Sequence, residues 1–379
     1  MSLETIHILL NIIMIFAALY LICIGAFTHG LAVLSRGDNT DAALSHLRKI
    51  SVLIAARNEG RNIGKLLQSL DNQSYDKDYF EVIIVDDHSD DDTAEVVERF
   101  IGSHPGMKLK LLGAQGHGKK QAISQALHGA ENEIVMVTDA DCELPVRWIE
   151  KMLAYYMKKD LKMLLGPVLL SPANTLFEKL QVLEHLSLIG STAGSAGIGV
   201  PVMCNGANMM YDRKSALDVE AYRTDMKIAS GDDMFLMERF LKNYGSKSVG
   251  FFLNKEVIVK TATMPNLKAF FRQRARWTSK TKAYTNWKII ATALIVLMFN
   301  LSIVAFFVAG FFMPVFWAFY LLYIIMKTLV DFPLLRRMTA FMRQKQLKKW
   351  IFPLELIYPF YVVFTAFAGM FSKVRWKDS

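Results

Sequence analysis

The stretch "FEVIIVDDHSDDDTAEVVERFI", Phe80 to Ile101, sets a short apolar run, a knot of carboxylates and an amphipathic segment side by side. "FEVIIVD" is too short for a helix and rich in β-branched residues, so it reads as a buried strand. In "DDTAEVVERFI" the apolar residues recur at helical spacing. The same couplet repeats on either side: "ISVLIAA" from Ile50 precedes "GRNIGKLLQSL", "MKLKLL" from Met107 precedes "KKQAISQALHG", and "EIVMVTD" from Glu133 precedes "PVRWIEKMLAYYMKK". Strands alternating with helices predict βαβ units around a mainly parallel sheet. In such sheets ligands bind beyond the carboxyl ends of the strands, where these polar clusters fall.

Beyond Gly166 the alternation loosens. "NTLFEKLQVLEHLSLIG" from Asn174 predicts an amphipathic helix, with core packing and membrane-surface contact both open to it. "PVMCNGANMMYDR" predicts two short strands about a tight turn at Asn205-Gly206. There is no internal repeat and no low-complexity tract.

The α/β region is flanked by apolar ends. Of the 379 residues 53% are hydrophobic and 25 are phenylalanine, an excess gathered at the two termini. Ile6 to Phe27 is apolar apart from His7 and Asn11 and matches the ~20 residues a helix needs to cross a bilayer. A cleaved signal peptide is disfavoured, because no basic region precedes the run and no small-x-small site follows it. Ile289 to Met326 is too long for one span, and Gly310 and Pro314 predict a turn between two. The basic residues Arg336, Arg337, Arg343, Lys345, Lys348 and Lys349, with no acidic residue among them, predict a cytoplasmic loop by the positive-inside rule. The run Ile351 to Phe371 is expected to span, with Pro353 and Pro359 leaving a re-entrant course open. The expected division is an anchor over 1–30, a cytosolic domain over 48–264, an interfacial helix over 265–288, a transmembrane hairpin over 289–335, a basic loop over 336–350 and a last membrane segment with its tail over 351–379. The net charge of +9 lies largely beside these segments and points to anionic headgroups rather than nucleic acid. Cys23, Cys142 and Cys204 have neither metal-ligand nor disulfide spacing and suit a reducing compartment.

Three acidic groups carry the chemistry. Asp86, Asp87, Asp90, Asp91 and Asp92 follow one strand, and for the last three a solvated helix start is as good an account as function. Asp139 and Asp141 follow another strand, where alternate carboxylates can present oxygens to one hard cation, Mg2+ or Mn2+, whose shell phosphate oxygens complete. Asp232 and Asp233 open a third segment, and like charges so close push the two pKa values apart. No G-x-x-x-x-G-K-[ST] or G-x-G-x-x-G is present. "GAQGHGKKQ", with Lys119 and Lys120, is a weak phosphate signal beside the simpler reading of a surface turn.

Taken in order, "AARNE" (Ala55 to Glu59), "VDDHSDDDT" (Val85 to Thr93), "TDADCE" (Thr138 to Glu143), "GDD" (Gly231 to Asp233) and "QRARW" (Gln273 to Trp277) resemble the membrane-bound family 2 glycosyltransferases. The resemblance implies a GT-A, Rossmann-like cytosolic domain with transmembrane helices at both ends. It implies that Arg57, Glu59, Asp87 and Lys119 surround the nucleotide of a UDP-linked sugar, together with Asp139 and Arg276. By the same resemblance Asp141 holds the metal and Asp233, with Asp232 beside it, is the general base. Gln273, Arg276 and Trp277 match the Q-x-x-R-W motif that borders the diphosphate and the acceptor. Trp277 offers a ring face to a sugar or to a lipid-proximal group, an interfacial belt tryptophan being the alternative. His88 stands where the family has glycine, and Asp92 replaces a later glycine, which puts the local turn geometry in question.

The activity implied is inverting, metal-dependent transfer to a lipid or saccharide acceptor at the membrane, with processive polymer synthesis as the competing form. From a different class, a tethered nucleotide-sugar binding protein without catalysis would be expected to have lost these carboxylates. A transporter would need charges within its spans, where the sequence offers Asp331 and Glu355 near segment ends.

Overall fold

A computed structural model describes residues 3–36, 46–220 and 231–371, the side chains of 3–10 and 370–371 excepted. The chain divides into two compact units.

One unit gathers Leu34–Pro172 with Cys204–Thr263. It holds strands β1 (Ile50–Ala56), β2 (Phe80–Asp86), β3 (Lys108–Gly113), β4 (Ile134–Val137), β5 (Met163–Leu165), β6 (Val168–Ser171), β7 (Met209–Asp212), β8 (Val249–Phe251) and β9 (Val259–Ala262). Seven of them form one sheet in the order β3-β2-β1-β4-β7-β5-β8, in which β7 alone runs antiparallel to its neighbours. Every residue of β1 is buried, as is β2 up to its last residue, the pattern of central strands covered on both faces. The edge strand β3 alternates instead, and Lys108 and Lys110 on it keep an unpaired edge from recruiting another strand.

The helices of this unit are α2 (Ile63–Asp71), α3 (Thr93–Ser103), α4 (Lys119–Gly129), α5 (Trp148–Lys159), α7 (Arg213–Asp218) and α8 (Asp232–Tyr244), where α6 is left for the other unit. The expected strand and helix couplets therefore form. The expected hairpin about Asn205-Gly206 does not: residues 201–208 are irregular, and only Met209–Asp212 pairs, between β4 and β5. Asn208, fully buried, explains why. Its side chain donates to the Pro167 and Val257 carbonyls (2.9 and 2.8 Å) and accepts from Trp148 Nε1 (2.9 Å), so local pairing yields to longer-range hydrogen bonds.

The second unit gathers Met1–Val33, Ala173–Met203 and Met264–Lys373. It contains α1 (Leu3–Arg36), α6 (Leu176–Gly197), α9 (Leu267–Thr278), α10 (Trp287–Gly310), α11 (Val315–Phe341) and α12 (Ile351–Phe371). Among the described residues, four stretches are long and apolar enough to cross a membrane: Asn11–Arg36, Trp287–Gly310, Val315–Phe341 and Lys345–Gly369. Residues 173–203, which the sequence reading placed inside 48–264, pack with these helices instead. Helix α6 starts at a capping box of Thr175 and Glu178 and carries Gly190, Gly194 and Gly197 along one side. A Cβ on Gly194 would lie 2.2 Å from the Phe27 carbonyl oxygen, so α1 and α6 touch backbone to backbone, as small residues allow.

Boundaries shift as well. Helix α11 runs six residues past 335, through Arg336 and Arg337, because arginine is a good helix former; the chain turns only near Arg343, whose φ is 56°. Helix α12 continues through Pro353 and Pro359. The helix expected over 265–288 stops at Thr278 and is followed by a 3-10 turn, Ser279–Ala283. Lys327, which the sequence does not single out, is buried with Glu355 and is ion-paired to it and to the half-buried Asp331, while Tyr20 donates to Asp331 (2.8 Å). Lys327 thus gives both carboxylates a cationic partner within the helical unit, and such pairing is how ionisable groups are tolerated at that depth.

Candidate active site

The parallel order β2-β1-β4 brings three motif ends together. Arg57 follows β1, Asp87 follows β2, and Asp139 and Asp141 follow β4, all at strand carboxyl ends. Asp87 is fully buried, and its N–H extends the sheet by donating to the Ala56 carbonyl (2.8 Å). Its Oδ2 accepts from the Gly118 N–H (2.9 Å) and faces Arg57 Nη1 at 3.6 Å. Gly118 has φ 95°, a conformation open to glycine, and it delivers Lys119 to the first turn of α4.

The other acidic residues after β2 build the loop. Asp86 accepts from Ser89 N–H (3.2 Å), and Asp91 accepts from the Gly60 and Thr93 N–H groups (3.0 and 3.1 Å). Asp92 takes the N-cap position of α3 without a side-chain cap, and its carboxylate lies where a Cβ on Gly60 would fall. Asp91 is therefore structural and holds "AARNEG" against "DDHSDDDT".

Lys119 ion-pairs with Asp139. Burial works against its charge, but the carboxylate of Asp139, and after it those of Asp233 and Asp232, hold the ammonium well above its ordinary range. Asp141 is pushed up to about 6, first by burial and then by the negative charges of Asp139 and Glu59, against the opposing hydrogen bond from Thr261 Oγ1 (3.0 Å) and the charge of Lys119. The three motif groups thus meet electrostatically around one lysine. Asp233 sits in the first turn of α8, where Oδ2 accepts from the Gly206 N–H (3.0 Å) and Oδ1 from the Met234 N–H (2.8 Å). Those bonds occupy one lone pair on each oxygen and fix the carboxylate, leaving each oxygen able to accept again.

The profile of "Glycosyl transferase family 2" matches residues 51–219. The chain carries a family 2 glycosyltransferase domain. A beta-monoglucosyldiacylglycerol synthase from Synechocystis is 32% identical over 117 residues, 31% of this chain and 24% of that protein. A poly-beta-1,6-N-acetyl-D-glucosamine synthase from Staphylococcus aureus is 26% identical over 250 residues, 64% of this chain and 57% of that one. The chain therefore spans between a quarter and somewhat over half of these relatives' length. A mannosyltransferase from Pyrobaculum calidifontis, solved with GDP-Man and Mn2+, superposes with a TM-score of 0.54 at 17% identity, over 95% of this chain and all of that one. That likeness is one of fold, and it is the GT-A fold.

Not every residue that the motifs single out belongs to the unit that holds the glycosyltransferase sheet. Gln273, Arg276 and Trp277 lie half-buried on α9, in the other unit. One face of Trp277 is covered by the guanidinium of Arg274, 4.1 Å from the ring, so the tryptophan has a single face left to offer. Arg274, unassigned in the sequence reading, is buried and paired with Glu184 of α6. Thr261 was missed too. It comes from β9, more than a hundred residues after Asp141, and nothing in "VKTA" marks it as the partner of that carboxylate.

Proposed function

We propose that the protein is an inverting, metal-dependent glycosyltransferase. It moves a sugar from a nucleoside diphosphate, UDP by preference, to a lipid or lipid-linked saccharide at the cytosolic face of the plasma membrane. The observation that carries this reading is that Asp139 and Asp141, after β4, and Asp232 and Asp233, in the first turn of α8, all act electrostatically on Lys119. Such a convergence supports one site that handles both a diphosphate and a proton.

The donor set suits a hard cation. Glu59, Asp139 and Asp141 bring carboxylates together, and the Asp141 carboxyl is raised first by burial and then by the charges of Asp139 and Glu59. Oxygen ligands alone favour Mg2+ or Mn2+, with Asp141 the first protein ligand. Bound there, the ion supplies neutralisation of the charge that grows on the departing diphosphate. The chain's own groups do the rest. Arg57 and Asp87 form the floor for base and ribose, Glu59 borders it, Lys119 steadies phosphate oxygens, and Gln273, Arg276 and Trp277 serve the diphosphate and acceptor. Asp233 takes the proton of the attacking hydroxyl, with Asp232 beside it; in-line attack inverts the anomeric carbon.

Relatives that make a glycolipid and a polysaccharide support an acceptor of lipid or saccharide class. Four apolar helices support an acceptor held at the membrane. The test is a donor panel of UDP- and GDP-sugars with purified protein, Mn2+ or Mg2+ and a membrane lipid extract, the products read by mass spectrometry. A single new glycolipid from one donor is expected; transfer that persists undiminished in excess chelator, or in Asp141→Asn, would refute the metal-centred reading.

A further inference from the structure

The glycine expected in the loop after β2 is His88, and the structure gives it a partner. The rings of His88 and His117 lie against each other with centroids 4.4 Å apart, tilted by 30°. They come from two loops that the Gly118 to Asp87 hydrogen bond ties together. His88 adopts a φ of 55°, in the left-handed region that glycine occupies freely and a side chain occupies at a cost. The position thus carries a histidine although the backbone there suits its absence.

Asp87 uses one oxygen for structure and turns the other to His88. Oδ2 receives Gly118 and faces Arg57, while Oδ1 lies 3.2 Å from His88 Nδ1. One ligand atom from each of Asp87, His88 and His117 falls within 4.8 Å of the other two. Two ligands at ~2.0–2.1 Å from a shared ion stand about 2.9–3.4 Å apart for right-angled to tetrahedral geometry, so the Asp87 and His88 atoms already have that spacing. Both imidazoles are exposed and can rotate to close the third side, and the buried carboxylate supplies a fixed point.

We propose that Asp87, His88 and His117 form a second metal site, for a borderline transition ion of the Zn2+ class. Two imidazoles and a carboxylate select such ions over Mg2+ and Mn2+, whereas the all-oxygen set at Asp139 and Asp141 has the opposite preference. The two sites can therefore be told apart by the ion offered. The second one takes the Asp87 oxygen that faces His88, so an ion held there ties the loop after β2 to the loop before α4.

The experiment is calorimetric titration of the purified full chain in detergent with Zn2+, in a background of saturating Mg2+, for the wild type, His88→Gly, His117→Ala and Asp141→Asn. Glycine suits the backbone at 88 and His117 is exposed, so both histidine variants keep the fold. The wild type and Asp141→Asn are expected to bind one Zn2+ alike, and each histidine variant to bind it at least about tenfold more weakly. Absence of Zn2+ binding in the wild type, binding unchanged in both histidine variants, or loss of binding in Asp141→Asn would each overturn the proposal. None of these readouts depends on sugar transfer, so failure here and failure of the glycosyltransferase reading are separate results.

Discussion

Replacing Arg274 with methionine should destabilise the unit of long helices more than any change on its surface. The guanidinium reaches Glu184 through two hydrogen bonds, Nε to Oε1 at 3.1 Å and Nη2 to Oε2, and both residues are 3% exposed. Its flat faces rest against Trp277 (4.1 Å) and Phe270 (4.7 Å), and Tyr361 of α12 donates to Glu184 Oε1 (3.0 Å). Three helices, α6, α9 and α12, thus share one buried pair. Removing the arginine leaves a carboxylate with the tyrosine hydroxyl as its remaining donor among these groups, and breaking a buried pair in this way costs about 3–5 kcal/mol. Glu184→Gln removes the opposite charge but leaves the guanidinium an amide oxygen at 184 and the Gln273 Oε1, and should cost less, about 1–3 kcal/mol. The double variant Glu184→Gln, Arg274→Met removes both charges and should cost far less than the sum, because the desolvation penalty disappears with the pair. Denaturant unfolding of the purified chain in detergent, followed by tryptophan fluorescence, measures all three and yields the coupling energy. Single variants each within about 1 kcal/mol of the parent, or a double variant equal to their sum, would refute the reasoning.

Other expectations concern the site and the helix crossing. Asp233→Asn should lower transfer by ~10²–10⁴-fold while donor binding, measured by titration with a non-transferable nucleotide sugar, stays near the parent value; equal loss of both would make Asp233 a binding residue. Asp141, pushed up to about 6, has a folded pKa above its ordinary one. In the metal-free protein its contribution to stability is therefore fully present below pH ~4 and is lost as pH rises through about 6. A cation that needs the carboxylate reverses this, so Mn2+ affinity should fall towards tenfold per pH unit below about 6, with proton release on binding; a pH-independent affinity between 5 and 7 would contradict it. Gly194→Ala places a methyl 2.2 Å from the Phe27 carbonyl and should destabilise the α1 and α6 crossing by at least about 1–3 kcal/mol in the same unfolding assay, an unchanged midpoint being the adverse result.

Much of the fold was legible because its causes are local. Runs such as "FEVIIVD" and "ISVLIAA" cannot satisfy themselves except as buried strands, and the helical spacing after each selects a parallel sheet. Once strands are parallel, the residues after them gather at one edge, so Arg57, Asp87, Asp139 and Asp141 could be grouped before any coordinates. The glycine-like turn at His88 and the loop-building role of Asp91 were open in the sequence, since a carboxylate reads the same whether it binds a ligand or two backbone N–H groups.

What tertiary structure alone decided is who stands beside whom across long separations. Thr261 on Asp141, His117 on His88, Glu184 on Arg274 and Glu355 on Lys327 join residues that no periodicity relates. The transfer of residues 173–203 to the helical unit is of the same kind: a sequence reports that α6 has an apolar side and small residues, and only packing says which partner covers them. Periodicity encodes the direction a side chain faces, whereas partnership depends on the closure of loops between elements, and the entropy of that closure varies too slowly with length to leave a pattern in the chain.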